Sequence, residues 1–250
     1  CPFIRYHPAI IAQAAATTAL LADGRFTLGL GSGERLNEHV VGEGWPPVST
    51  RHEMLVESIE IMRALWSGGY HSYEGKHLTL EDARVFDLPQ TPPRVAVAAG
   101  GPVSARLAAE QGDAIFVTEP RSDLTEAYAK AGGDGPRYAE VPLAWAQNEA
   151  EAARSAHELF RFGLTGWKVQ AELPNPVNFE AATSFITEED MRQAFGCGPD
   201  ASKHLAVAQN FVDAGYDHLA LINAGPDPDG FFDFFENELA EPVRALTPSK

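Results

Sequence analysis

Three times along this chain of 250 residues a helical run ends in a glycine and gives way at once to a short apolar run. Residues 20–24 lead into 26–30, residues 108–112 into 114–117, and residues 212–215 into 218–222. Gly24, Gly112 and Gly215 each suit the left-handed position that closes a helix, where a Cβ would be strained. Such α-to-β punctuation, with further strands predicted at 94–99 and 141–146, describes parallel strands joined by right-handed helical crossovers. All-α and all-β architectures do not repeat in this way.

Composition narrows the partners. Acidic side chains outnumber basic ones 35 to 19, for a formal charge of −16, which argues against a nucleic-acid backbone or an anionic membrane as partner. Two cysteines, Cys1 and Cys197, make neither a disulfide framework nor a clustered metal site, so no metal and a cytoplasmic location are expected. No apolar run reaches the roughly 20 residues of a membrane helix. Residues 9–22 read as a buried helix rather than a signal-peptide core.

Two excursions interrupt the alternation. A helix predicted from Thr50, with Thr50-x-x-Glu53 at capping-box spacing, carries Met54, Ile61, Met62 and Leu65 on one face and stops at Gly68-Gly69. Residues 70–78 then read as a hairpin turning at Glu74-Gly75. The stretch 163–200, rich in Pro and Gly with a capped helix at 187–190, is too long for an ordinary loop and is expected to be an insertion or lid.

Five parallel strands are predicted, with the tail of a sixth at 2–6, whereas this alternation usually closes as an eight-stranded (β/α)8 TIM barrel. The fold expected is therefore a single α/β barrel domain lacking its first two strands and most of the third, with the insertion between its last two strands. At roughly 30 residues per βα unit, the full barrel would be about 70 to 80 residues longer.

In such barrels chemistry gathers at the carboxyl ends of the strands. There Gly31-Ser32-Gly33 opens space for a flat ligand, and Glu34 follows directly. Ser32 offers a hydroxyl, and Asn37 an amide one turn on. Glu34 serves either as a functional acid or only as a complement to a helix N-terminus; no complete G-x-G-x-x-G fingerprint is present. Ala98-Ala99-Gly100-Gly101-Pro102 is either a second ligand-facing turn, with helix amides for an anion, or merely a tight βα connection. Thr118 and Arg121 end the next strand, as a hydroxyl and a cation for that anion or as surface groups.

These segments carry a resemblance. Gly31-Ser32-Gly33-Glu34-x-x-Asn37-Glu38 resembles the G-[TS]-G-E-x-L-N-E motif of the luciferase-like superfamily, in its branch of F420-dependent oxidoreductases related to the glucose-6-phosphate dehydrogenases. Arg5-Tyr6-x-Pro8-Ala9-x-Ile11-Ala12-Gln13 and Ala98-Ala99-Gly100-Gly101-Pro102 resemble its flanking signatures. The resemblance implies hydride transfer with the deazaflavin coenzyme F420, with Glu34 as acid or electrostatic partner of the ring and Asn37 as a coenzyme ligand. It implies that Ser32, Gly33, Ala99, Gly100, Gly101 and Pro102 line the coenzyme, that Thr118 and Arg121 lie near its phosphate or the substrate's anionic end, and that Cys1 stands beside the ring. The branch's catalytic His falls outside this chain. Desolvation in a glycine-walled cleft would raise the pKa of Glu34 toward proton donation.

The cations that hold a sugar phosphate in this branch are only partly matched. Arg121 stands at one place, while Gln170, Ala171 and Ala194 stand at the others. A small or lipid-like alcohol, aldehyde or ketone is expected instead, met by Phe162, Trp167, Phe179 and Phe185, unless those rings form the insertion's own core. The alternatives are an FMN-dependent monooxygenase or a non-catalytic flavin-binding barrel. A homodimer without nucleic acid or membrane span completes the expectation.

Overall fold

The computed structural model describes residues 3–249. The chain divides into two compact units, the first holding the stretch up to Phe116 with Ala127–Gly135 and Ala171–Pro174, the second Val117–Glu126, Pro136–Gln170 and the chain from Asn175 onward. The architecture is α/β, with parallel strands separated by helices.

The first unit opens with α1 (Pro8–Leu21), started by Pro8 at its first position and by His7, whose ring nitrogen accepts the Ala9 amide. Next come β1 (Thr27–Leu30), the four-residue α2 (Arg35–Glu38) and α3 (Val48–Trp66). α1 packs on α3, where the Trp66 indole donates to the Ala12 carbonyl at 2.9 Å. The hairpin of β2 (His71–Glu74) and β3 (Thr79–Ala83) precedes β4 (Arg94–Ala98), α4 (Pro102–Gln111) and β5 (Ala114–Val117). β4 pairs in parallel with both β1 and β5, setting Leu28 beside Val95 and Val97 beside Ile115. These side chains are buried, as are Leu55, Ile59, Met62 and Leu65 of α3.

After β5 comes α5 (Ser122–Lys130). The second unit continues with β6 (Arg137–Ala144), α6 (Glu149–Phe160), α7 (Trp167–Gln170), α8 (Pro176–Ala182) and α9 (Glu188–Ala194). It ends with β7 (Gly196–Cys197), α10 (Ala201–Asp213), β8 (His218–Asn223), α11 (Pro228–Phe234), a π-helical turn at Phe235–Leu239 and α12 (Ala240–Arg244). β6 pairs in parallel with β8 along Tyr138–Leu143 and with β7 at Leu143 and Ala144. Ala144, Ala153, Ala156, Met191, Phe195 and Cys197 build a core between β6, α6 and α9.

Several expectations need correction. Gly24 and Gly215 take left-handed φ values of +78° and +91°, but Gly112 has φ −97°. Its glycine answers a different need, since a Cβ there would lie 2.8 Å from the Ala108 carbonyl oxygen and 2.9 Å from a Val97 methyl. α3 starts at Val48 after Pro47 with no side-chain cap, so Thr50 and Glu53 form no capping box. Glu53 instead accepts bonds from the Lys76 ammonium and the His77 ring.

The expected strand tail at 2–6 is not a strand over its described residues: Phe3, Ile4 and Arg5 form a turn, and Pro2 lies outside them. The Ile4 amide goes to the Glu38 carboxylate rather than to a ladder. β6 begins at Arg137, earlier than expected, its amide held by Asp217 at 2.9 Å. β7 was not foreseen, because two residues have no periodicity to read. It falls within the stretch 163–200, between the strands expected to be the last two.

A hairpin is present, but Glu74 still belongs to β2, the loop runs over 75–78, and β3 lies beyond the stretch 70–78 expected to hold the whole hairpin. The short capped helix is also present as α9, where Thr187 and Asp190 exchange capping bonds. Among the described residues no helix is long and apolar enough to cross a membrane.

Candidate active site

β1 ends at Leu30, and its neighbour β4 ends at Ala98, so the turns that follow them leave the sheet side by side. A Cβ on Gly31 would lie 3.1 Å from the Ala98 Cβ, which shows how closely the two strand ends approach. Gly33 holds φ +81°, and a Cβ there would overlap Glu38 Oε1. Glycine is required on both counts.

Glu34 follows in extended conformation and its side chain makes no capping bond to α2. It is not acting as a helix cap. Its Oε1 accepts a short hydrogen bond from Asn37 Nδ2. Asn37, exposed, accepts at its main-chain oxygen from Arg5 Nη1 at 3.0 Å. The other Glu34 oxygen has no partner among the described residues, and the side chain is half-buried. The carboxyl is therefore oriented yet still open to a proton or ligand.

Of the two acids in this motif, Glu38 is the buried one, at 1% exposure. Burial pushes its pKa up, opposed by backbone N–H groups of Ile4, Arg5 and Glu34 that point at the carboxylate. It belongs to the quoted motif, but nothing in its spacing distinguishes a buried acid from a surface one.

Arg51 was missed altogether. Its side chain is 3% exposed, with Nε donating to the Ser32 carbonyl at 3.0 Å and Nη1 to the Pro46 carbonyl at 2.7 Å. Nη2 donates to Glu172 Oε1 at 3.0 Å, and the guanidinium lies over the Trp45 ring. No sequence spacing links Arg51 to Ser32 or to Glu172.

At the second turn, the Ala99 amide bonds the Phe116 carbonyl at 2.8 Å and Gly101 is extended, with φ −163°. A Cβ on Gly101 would meet nothing within 4 Å. The Gly101 amide donates to Ser104 Oγ and Pro102 has none, so the amides remaining at the start of α4 are those of Val103 and Ser104. An anion at this turn would therefore meet fewer free amides than the residue types suggested.

Ser32, Gly33, Glu34, Asn37, Ala99, Gly100, Gly101 and Pro102 all fall in the first unit, whereas Thr118 and Arg121 fall in the second. Thr118 is exposed. The Arg121 fork grips both carboxylate oxygens of Asp123, at 3.0 and 2.6 Å. This pairing raises the Arg121 pKa and lowers that of Asp123. Cys1 lies outside the described residues. Gln170 bonds the Phe162 carbonyl, Ala171 is buried and Ala194 exposed, so none of the three places a cation. Phe162 packs edge-on against Phe179 and lies near Phe160, which in turn meets Phe195, so these rings form a local core. Phe185 is 74% exposed.

The Luciferase-like monooxygenase family profile matches residues 1–218. An F420-dependent glucose-6-phosphate dehydrogenase of Rhodococcus hoagii (strain 103S) is 32% identical over 98% of this chain and 77% of its own length. An F420-dependent hydroxymycolic acid dehydrogenase of Mycobacterium tuberculosis is 37% identical over 86% of this chain and 61% of its own length. Among solved structures, an F420-dependent secondary alcohol dehydrogenase in complex with an F420-acetone adduct superposes with a TM-score of 0.86 at 24% identity. That match covers 98% of this chain and 78% of the other, and establishes a shared fold. A profile match over most of the chain, together with relatives above 30% identity, shows that the chain belongs to the luciferase-like monooxygenase family, among relatives that are F420-dependent dehydrogenases.

Proposed function

We propose that the protein is an F420-dependent oxidoreductase acting on a small or lipid-like alcohol or its carbonyl partner, with Glu34 as the acid or electrostatic partner at the reacting centre. The single observation that carries this reading is the placement of Glu34 at the carboxyl end of a parallel strand, oriented by Asn37 and with one oxygen unengaged among the described residues. The alternation of parallel strands and helices supports reading the strands as part of a (β/α)8 barrel, in which such positions are catalytic.

The residues fit a flat coenzyme. Gly101 faces open space, and Gly31 lets the ends of β1 and β4 lie close together. Ser32, Gly33, Asn37, Ala99, Gly100, Gly101 and Pro102 would hold it. When bound, the deazaflavin supplies the hydride chemistry at its own ring carbon.

The chain's own residues then have three tasks. Asn37 donates to Glu34 Oε1, which leaves the second oxygen to take or give the proton of the substrate hydroxyl. Arg51 fixes the Ser32 carbonyl and with it the turn. Ser104 braces the Gly101 backbone, so the second turn is set before a ligand arrives. A sugar phosphate is disfavoured as substrate, because Gln170, Ala171 and Ala194 supply no charge and Arg121 is already paired.

Titrating the purified protein with F420, then offering secondary alcohols and glucose 6-phosphate to the oxidised coenzyme and aldehydes and ketones to the reduced one, tests the reading. Coenzyme binding and bleaching of its absorbance by an alcohol are expected. Binding of FMN in place of F420, or binding with no turnover on any member of the panel, would overturn it.

A further inference from the structure

The Glu34 turn is tied to a segment more than a hundred residues away in sequence. Glu172 accepts from Arg51 Nη2 at 3.0 Å and from the Trp45 indole at 2.7 Å, one donor to each carboxylate oxygen. One residue earlier, the Ala171 carbonyl accepts the amide of Arg35, the residue that follows Glu34, at 2.9 Å. The short stretch Ala171–Pro174 belongs to the first unit although the chain on both sides of it belongs to the second. It is a strap laid against the turn that carries Glu34.

The two members of the ion pair are unequal. Arg51 is 3% exposed and Glu172 52% exposed. The buried partner already spends two of its donors on the carbonyls of Ser32 and Pro46, so its position cannot change without moving the turn. A buried guanidinium that loses its counter-charge is strongly destabilised, whereas the half-exposed carboxylate loses little. Arg51 thus joins the strap to the turn through direct hydrogen bonds to both.

We propose that Arg51 and Glu172 are positioning residues that couple the strap Ala171–Pro174 to the coenzyme-facing turn. Closing the strap sets the Ser32–Arg35 backbone and hence the Glu34 carboxyl. The coupling to coenzyme rests on the F420 reading, and linkage makes it reciprocal: if the strap favours the coenzyme-ready turn, the coenzyme must favour the closed strap.

The test compares wild type, Glu172→Ala and Glu172→Gln by hydrogen exchange and by F420 titration. In the free protein Glu172→Ala should speed exchange at the amides of Ser32, Gly33, Glu34 and Arg35, with Glu172→Gln in between because its amide oxygen keeps one acceptor. F420 should slow exchange at Ala171, Glu172 and Leu173 in wild type, and this protection should disappear in Glu172→Ala while affinity falls about tenfold, a usual size for such coupling. A purely structural role would leave the strap's response to F420 intact in the variant.

Unchanged exchange at Ser32–Arg35 in Glu172→Ala would overturn the proposal, as would a strap that F420 protects equally in both proteins. Should wild type bind no F420, the functional reading fails by itself, and the exchange of the free proteins still decides whether the strap holds the turn.

Discussion

Glu38 and Gly33 show how closely the Glu34 turn is packed from beneath. The Glu38 carboxyl is buried and takes the Ile4 amide at 2.8 Å, and its Oε1 occupies the place where any Cβ on residue 33 would have to go. Gly33→Ala therefore combines a left-handed φ with a steric overlap and should cost about 1–3 kcal/mol of stability, read from denaturant melts. Burial raises the Glu38 pKa above its unfolded value. Its contribution to stability is therefore full at acid pH, below the ordinary carboxylate range, and is lost as pH rises through the folded-state value. Glu38→Gln mispairs one of the backbone donors at every pH but carries no charge. The gap between its melting temperature and that of wild type should narrow as pH rises toward neutrality, and a gap that widens would contradict the burial argument. Glu34→Gln should fold like wild type, since the side chain caps nothing, but lose about a hundredfold in turnover if it handles a proton. An unchanged rate and pH profile would remove that role.

The hairpin and the long excursion are the elements least explained by α/β alternation, and each rests on identifiable groups. Glu57 of α3 accepts the amides of Lys76, His77 and Leu78 within 3.0 Å, so one carboxylate holds the loop between β2 and β3. Glu57→Ala should cost about 1–3 kcal/mol, because those donors lose a charged acceptor, and a melting curve checks it. Grafting a different α8–α9 segment while keeping Ala171–Pro174 should shift substrate preference and leave F420 affinity unchanged. Affinity lost together with substrate preference would place those helices in the coenzyme's support.

The readable elements were those with an apolar run beside clear punctuation. α1, β1, β4, β5 and β8 were legible because an apolar run beside a glycine or proline has few alternatives. What was not legible depends on contacts between distant residues. The start of α3 was missed because Glu53 binds the hairpin rather than its own helix. Gly112 was given the wrong reason, since only the folded neighbours Ala108 and Val97 reveal why it has no side chain. Arg51 has no local signature, and its partner Glu172 stands 121 residues away.

For the molecule as a whole, the formal charge of −16 sets its dealings with other polymers. Retention on immobilised DNA or heparin should be absent even at low salt, because no excess of cations exists to release counterions. Column elution checks this directly. Cys197 reports on the integrity of the second unit. It is buried, and burial foremost, with Glu149 adding to it, pushes its thiol up to about 11. Labelling of Cys197, followed by peptide mass, should proceed only through opening of that unit and so at a rate that tracks stability. Rapid modification in the native state would contradict the packing around it.

Gly101 has one further consequence, a practical one. Extended, facing open space and next to the helix start that is proposed to meet the coenzyme, it is a position where a side chain can be added without disturbing the protein. A cysteine there, in a background where Cys1 is replaced by serine, would be open to a thiol-reactive dye in the free protein and shielded by bound cofactor, so slower labelling would register the cofactor's arrival before any substrate for the enzyme had been found.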